Sequence, residues 1–312
     1  MKKLFFLAAA ASVMLAACSS DNEEAKVAEK SAIRLSTQSL TGMTRAGQSV
    51  QLTQFDANEN VGIFLVENVG GTQTPSGTNV TSYTNPLAYT TGASGALTPA
   101  VDQFWPQDGN GLFIFGVYPA SAVTSSTAYN ATGISFSVAA DQSTDANYKA
   151  SDLMTGLPTA SNPVARTSSN VPMTFTHLLT KVDVNLTAGS GFDDVSSAVV
   201  SILGTKPTTT FSVQSTTVGA ASDTAADIVA GTGTATSAII VPQTIAAGAN
   251  FIKVAVGGGD YIYKLPAATT FAAQTKYVYN ITVNKTGLVL TTTQITDWVS
   301  AGDPTPGNAT LQ

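Results

Sequence analysis

Apolar and β-branched residues recur with a period of two along most of this 312-residue chain, in short runs separated by clusters of Gly, Ser, Thr, Asn and Pro. Alternation of this kind puts one set of side chains on the inner face of a sheet and the other in water. Turn clusters at short intervals between such runs mark an all-β sandwich or barrel. Strands are predicted over Ala32–Ser36, Val61–Val66, Leu112–Tyr118 and Ile134–Val138 in the first half. In the second half they are predicted over Met173–Leu186, Ala198–Leu203, Thr209–Val213, Ala238–Val241, Phe251–Val256, Tyr261–Leu265 and Tyr277–Asn284. No long stretch carries a helical period. Gly257-Gly258-Gly259-Asp260 lies between two runs and predicts a hairpin turn, because glycine takes positive φ without strain. A strand follows it, whereas a phosphate cradle needs a helix there. Gly70–Ala96 and Ser215–Thr236 are rich in Thr, Gly, Ser and Asn, carry too few apolar residues for a core of their own, and read as surface excursions. Over Ala160–Val171 the alternation gives way to Ser, Asn, Pro and Arg, which sets a domain boundary between 46–168 and 169–312.

The first seventeen residues stand outside this pattern. Lys2 and Lys3 precede an apolar stretch from Leu4 to Met14, and Ala16-Ala17 precede Cys18, the only cysteine; this is the layout of a secretory signal. Leu15-Ala16-Ala17-Cys18 is a lipobox, in which the leader is cut between Ala17 and Cys18 and the cysteine is acylated. An ordinary signal peptide with an incidental cysteine is the alternative; a membrane span needs roughly 20 apolar residues and this stretch is shorter. Ser19 to Glu24 then carries three carboxylates. It resembles the acidic tag that sends lipoproteins of Bacteroidetes to the outer face of the outer membrane, and a solvated tether is the other reading.

Removal of the leader leaves about 295 residues, enough for two domains each with its own core. Only 11% of the residues are charged, and the formal net charge is −6. Nucleic acid and anionic lipid demand clustered Lys and Arg, so both are excluded as partners. With its sole thiol expected to carry lipid, the mature chain has no disulfide and is held by packing.

The residues that carry chemistry are few. The single histidine, His177, shares a strand face with Phe175 and Leu179 and reads as a packed imidazole. No G-x-S-x-G elbow or Cys/His cluster occurs, so no enzyme activity, catalytic residue, cofactor or metal is expected. Asp56-Ala57-Asn58-Glu59-Asn60 and Asp108-Gly109-Asn110 have oxygen-rich spacing but lack the bidentate glutamate of a calcium loop, and read as Asx-type turns. Asp223-Thr224-Ala225 fits the short acceptor pattern for O-linked sugar in Bacteroidetes, a pattern loose enough to arise by chance. Trp105 and Trp298, with Tyr83, Tyr89, Tyr261 and Tyr263, would suit sugar stacking if they shared an exposed face; their apolar neighbours favour burial.

Taken in order, several segments resemble the fimbrillin family (Mfa-like) of Bacteroidales lipoproteins, subunits of the type V pilus. They are the lipobox, Thr44-Arg45-Ala46, Asn60-Val61-Gly62-Ile63-Phe64, Phe104-Trp105-Pro106, Asp152-Leu153-Met154-Thr155-Gly156, and Phe175 to Val182. Val241-Pro242-Gln243-Thr244, Tyr277 to Val283 and Ile295-Thr296-Asp297-Trp298 complete the set. The resemblance implies two tandem transthyretin-like β-sandwich domains, over 46–168 and 169–312, behind a signal peptide (1–17) and a lipidated propeptide (18–45) that contains the first strand. It implies assembly by donor-strand exchange: a strand near Ser31–Ser39 fills the subunit's own groove until a trypsin-like protease cuts after an arginine. Arg45, with Ala46 after it, is the expected cleavage site, since Arg34 falls inside the strand. Other fimbrial subunits, outer-membrane lipid through Cys18, and a host or bacterial surface receptor are the implied partners. Gly287–Ile295 suits either a donated strand or the last strand of the subunit's own sheet, and the second case points to a tip or anchor. A surface glycan-binding lipoprotein of a nutrient-uptake system is the competing function.

Overall fold

The computed structural model describes residues 30–37, 55–71, 74, 83–92 and 95–298. The first half contributes β1 (Leu35–Thr37), β2 (Asn60–Glu67), β3 (Leu87–Thr91), β4 (Ala96–Pro99), β5 (Leu112–Tyr118) and β6 (Ile134–Ser137). A six-residue helix, α1 (Asp145–Ala150), then precedes β7 (Met154–Pro158) and β8 (Val171–His177). The second half contributes β9 (Thr180–Ala188), β10 (Val199–Thr205), β11 (Thr208–Phe211), β12 (Ala226–Thr232), β13 (Ala235–Ile240) and β14 (Gln243–Ile245). It ends with β15 (Asn250–Val256), β16 (Gly259–Lys264), β17 (Thr269–Phe271), β18 (Thr275–Asn284) and β19 (Gly287–Asp297).

The all-β architecture expected from the alternation is the one that forms. Seven strands close into a barrel in the order β1-β4-β3-β2-β5-β7-β8. In the second half the sheets β12-β10-β15-β16 and β13-β9-β18-β19 enclose a shared core that includes Val182, Val184, Val200, Ile202, Val254 and Ile281. Two-stranded ribbons, β6 with β11 and β14 with β17, complete the set. Gly257 and Gly258 form the expected turn between β15 and β16 with φ of 59° and 79°, the two positive values of a type I′ hairpin.

β2 and β5 are buried on both faces. Val61, Ile63 and Leu65 of β2, with Leu112, Ile114 and Tyr118 of β5, point into the barrel core. The alternate residues Phe64, Val66, Phe113, Phe115 and Val117 belong to the core of the second half. Such strands read as continuous apolar runs rather than as alternation. Beyond the ends of their neighbours the strand backbones still need partners. The Asn85 side chain supplies them at Leu65, accepting from its N–H and donating to its C=O, both at 2.9 Å. Asn162 does the same at Ile114, at 2.9 and 3.0 Å. Gln142, fully buried, pairs likewise with both backbone groups of Ile239 on β13.

The structure departs from the sequence expectations at several places. The run Met173–Leu186 is two strands: β8 joins the barrel and β9 the second half. The break falls at Leu178-Leu179, both fully buried, whose backbone bonds lead to different parts of the fold. Leu178 N–H donates to Leu153 C=O, which leads into barrel strand β7, whereas Leu179 C=O accepts from Gln274 N–H, which leads into β18. The excursion expected over Gly70–Ala96 contains β3, whose Tyr89 is fully buried in the barrel. The one expected over Ser215–Thr236 contains β12, which buries Ile228 and Ala230. Sparse apolar content was enough in both, because neighbouring strands supply the rest of each core.

Gly116, Gly156 and Phe175 lie side by side across β5, β7 and β8. The Phe175 ring occupies the space above both glycines, where an added Cβ would come within 2.5 Å of it at Gly116 and 2.6 Å at Gly156. Ring and glycines are matched shapes, so Gly156→Ala should lower stability by about 2 kcal/mol through overpacking. Urea unfolding measures this, and adding Phe175→Leu to the same chain should recover part of the loss.

Candidate functional site

β1 is three residues long, yet it alone closes the barrel. It runs antiparallel to β4 (Leu35 opposite Leu97, Ser36 opposite Ala96) and parallel to β8 (Leu35, Ser36 and Thr37 opposite Val171, Pro172 and Met173). The seat extends upstream of the strand itself. Trp105 N–H donates to Ser31 C=O at 2.9 Å, Ile33 N–H to Gln103 C=O at 2.8 Å, and Val171 N–H to Arg34 C=O at 2.8 Å. At the other end Thr37 N–H donates to Gly95 C=O at 2.6 Å, and Thr37 Oγ1 donates to the same carbonyl at 3.1 Å. Gly95 has φ of 77°, and a Cβ there would sit 2.8 Å from Thr37 C=O, so both conformation and space require glycine.

Side chains of this segment alternate. Ile33, Leu35 and Thr37 are buried, while Arg34 is exposed. Ile33 and Leu35 join Tyr89, Leu97, Trp105, Val171 and Met173 in the barrel core. Each buried aliphatic side chain stabilises the closed barrel by about 1.5–3 kcal/mol. Without β1, strands β4 and β8 would present unpaired edges flanking an apolar slot, the configuration that captures another extended strand.

Near the barrel, Lys149 of α1 reaches the segment that leads into β2. Its Nζ lies 2.7 Å from Asp56 Oδ2 and 2.8 Å from Glu59 Oε1, and Tyr118 donates to the other Glu59 oxygen at 3.1 Å. Burial opposes the lysine charge, but the two carboxylate hydrogen bonds outweigh it and raise its pKa above the ordinary value. The oxygen-rich spacing of Asp56 to Asn60 thus serves an ion pair. Asp108 Oδ1 accepts from Asn110 N–H at 3.0 Å, an Asx turn.

The sequence-predicted site residues separate clearly. Ala17, Cys18, Arg45 and Ala46 lie outside the described residues. Thr224 is exposed beside Asp223, which turns the chain at φ of 71°. His177 is buried; its Nδ1–H donates to Asp152 Oδ1 at 2.7 Å, and its ring stacks on Trp298 with centroids 4.0 Å apart. Trp105 and Tyr89 are buried in the barrel core and Trp298 in the core of the second half, so these aromatics form no shared exposed platform. Tyr83 donates to Phe104 C=O at 2.7 Å, and Tyr261 and Tyr263 are half-buried on β16. Sequence reading placed a strand near Ser31 but missed its partners, Gly95, Leu97, Gln103 and Val171. Only the isolated Gly95, ending a Thr- and Gly-rich stretch, hinted at a tight backbone approach.

Comparison with known proteins then assigns the chain. The sequence profile of the fimbrillin-like family matches residues 44–298. The chain belongs to the fimbrillin-like family. Its match begins after β1. Two solved structures share the fold of this fimbrillin-like chain. One, from Bacteroides uniformis and described as a cell adhesion protein, is 22% identical, covers 86% of this chain and 98% of its own, and gives a TM-score of 0.64. The other, similarly described and from Bacteroides ovatus, is 16% identical, covers 88% and 99%, and gives 0.66. A comparison with curated proteins finds no match.

Leu35→Ala should lower stability by about 3 kcal/mol and leave the rest of the fimbrillin-like fold assembled. Hydrogen exchange should then accelerate at Thr37 and Val171, whose amides bond across the seam, well before exchange rises at Phe175.

Proposed function

We propose that this chain is the lipid-anchored precursor of a surface fimbria subunit that assembles by proteolysis-triggered donor-strand exchange. The observation that carries the reading is β1: a three-residue strand, upstream of the family match, that fills a seat between β4 and β8, with Leu35 buried on the strand and Ile33 buried just before it. While the linker is intact, β1 competes for that seat at an effective concentration on the order of millimolar. A cut after Arg45 makes its retention bimolecular, and the lipid on Cys18 keeps the released fragment at the membrane. A strand from a neighbouring subunit then enters the slot, with backbone hydrogen bonds giving affinity and alternate side chains filling the pockets of Ile33 and Leu35. The protein acts at the outer-membrane surface, by assembly rather than catalysis.

β19 is the chain's own candidate for a donated strand. It is an edge strand, joined along ten register pairs to β18 and on its other side to no described strand.

Limited trypsin treatment should remove the segment ending at Arg45, leave the Arg34–Leu35 bond uncut in the folded protein, and convert monomers to filaments visible by electron microscopy. Filaments of the cleaved protein alone identify β19 as donated; growth only on other fimbrial subunits identifies it as retained. Equal assembly by Arg45→Ala would refute the scheme. Separately, Cys18→Ser should abolish incorporation of labelled palmitate and displace the precursor from the outer membrane.

A further inference from the structure

Between the two edge strands of the second half, β16 and β19, the sheets leave a cleft of about 480 Å³. That volume lies within the range of small-ligand sites. Tyr263, Tyr279, Leu290 and Ile295 give it an aromatic and aliphatic surface, and Thr270 and Thr292 give it hydroxyls. Among the described residues, no Asp, Glu, Lys, Arg or His lines it.

The polar groups in the cleft are unequally used. Tyr277 is saturated: its hydroxyl donates to Thr270 C=O at 2.8 Å and accepts from Ala272 N–H at 3.0 Å. Tyr263 and Tyr279, whose ring centroids are 6.0 Å apart, make no hydroxyl hydrogen bond to any described residue. Burial raises the pKa of both phenols, so they remain neutral donors across the physiological range. Thr292 accepts from Asn280 Nδ2 at 2.7 Å, which leaves its own hydroxyl hydrogen unspent.

We propose that this cleft binds a neutral hexose unit at the exposed end of a surface glycan. A pyranose ring has one apolar C–H face, suited to Tyr263 and the Leu290–Ile295 surface, and a rim of hydroxyls that both donate and accept, suited to the two phenols and the threonines. A phosphate, sulfate or carboxylate would lose its hydration with no cation to replace it, so a charged sugar is disfavoured. An extended peptide is also a poor fit, because its amides need the unpaired outer edges of β16 and β19 rather than a side-chain-lined slot. The inference does not depend on strand exchange, because it concerns the precursor with β19 in place.

The test uses the full-length chain carrying Cys18→Ser, titrated with trisaccharides ending in glucose, galactose, mannose or N-acetylglucosamine and with a sialylated counterpart, observed by saturation-transfer NMR and calorimetry. At least one neutral trisaccharide should bind saturably and more tightly than the sialylated one. Tyr263→Phe should weaken that binding severalfold with unchanged thermal unfolding, and Tyr263→Ala should weaken it tenfold or more while unfolding cooperatively at a lower temperature. Tyr261→Phe, which removes a hydroxyl outside the cleft, should bind as the parent does. A glycan array with the same protein distinguishes a glycan terminus from free sugar: retention on neutral termini supports the assignment, and binding to free monosaccharide alone overturns the surface-glycan source. Absence of saturable neutral-sugar binding, undiminished binding by Tyr263→Ala, or preference for the sialylated ligand or an extended peptide would overturn the site itself.

Discussion

The fold depends on the burial of β2 and β5 on both faces. A barrel strand ordinarily shows one side to its interior and the other to water; here the outward set, Phe64, Val66, Phe113, Phe115 and Val117, is absorbed by the core of the second half. The barrel and the paired sheets therefore share a wall. The same enclosure forbids dangling backbone groups, because water does not reach them. That requirement accounts for Asn85 and Asn162, whose amides stand in for strand neighbours that have already ended.

A second constraint fixes the end of the described chain. Trp298 stacks on His177, itself bonded to Asp152, and its N–H donates to Gln274 C=O at 2.7 Å. His177 closes the last barrel strand and Trp298 follows β19, so one stacked pair ties the two ends of the second half's wall to the barrel. The motifs around Asp152, His177 and Trp298, far apart in sequence, are parts of one packed contact.

Strands were legible where they carry several large apolar side chains, whether one face is wet, as in β15 and β18, or neither, as in β2 and β5. β15 and β18 alternate cleanly and were placed within a residue or two. β3 and β12 were not, because Leu87-Ala88-Tyr89-Thr90-Thr91 and Ala226 to Thr232 contribute only one or two large side chains to cores built mostly by others. Leu178-Leu179 was read through, since two adjacent buried leucines look locally like more strand. At the candidate site, the strand near Ser31 was visible but its partners were not: pairing with β8 spans most of the barrel in sequence, and local patterns carry no register. The cleft beside Tyr263 was equally hidden, because its other wall comes from β19.

The mixed pairing of β1 bears on what fixes its direction. One neighbour runs with it and the other against it. Reversing β1 in its seat would still leave one neighbour parallel and one antiparallel, so strand pairing alone does not set its direction. The direction of β1 therefore resides in the spacing of its two apolar pockets and in its contact with the glycine at one rim.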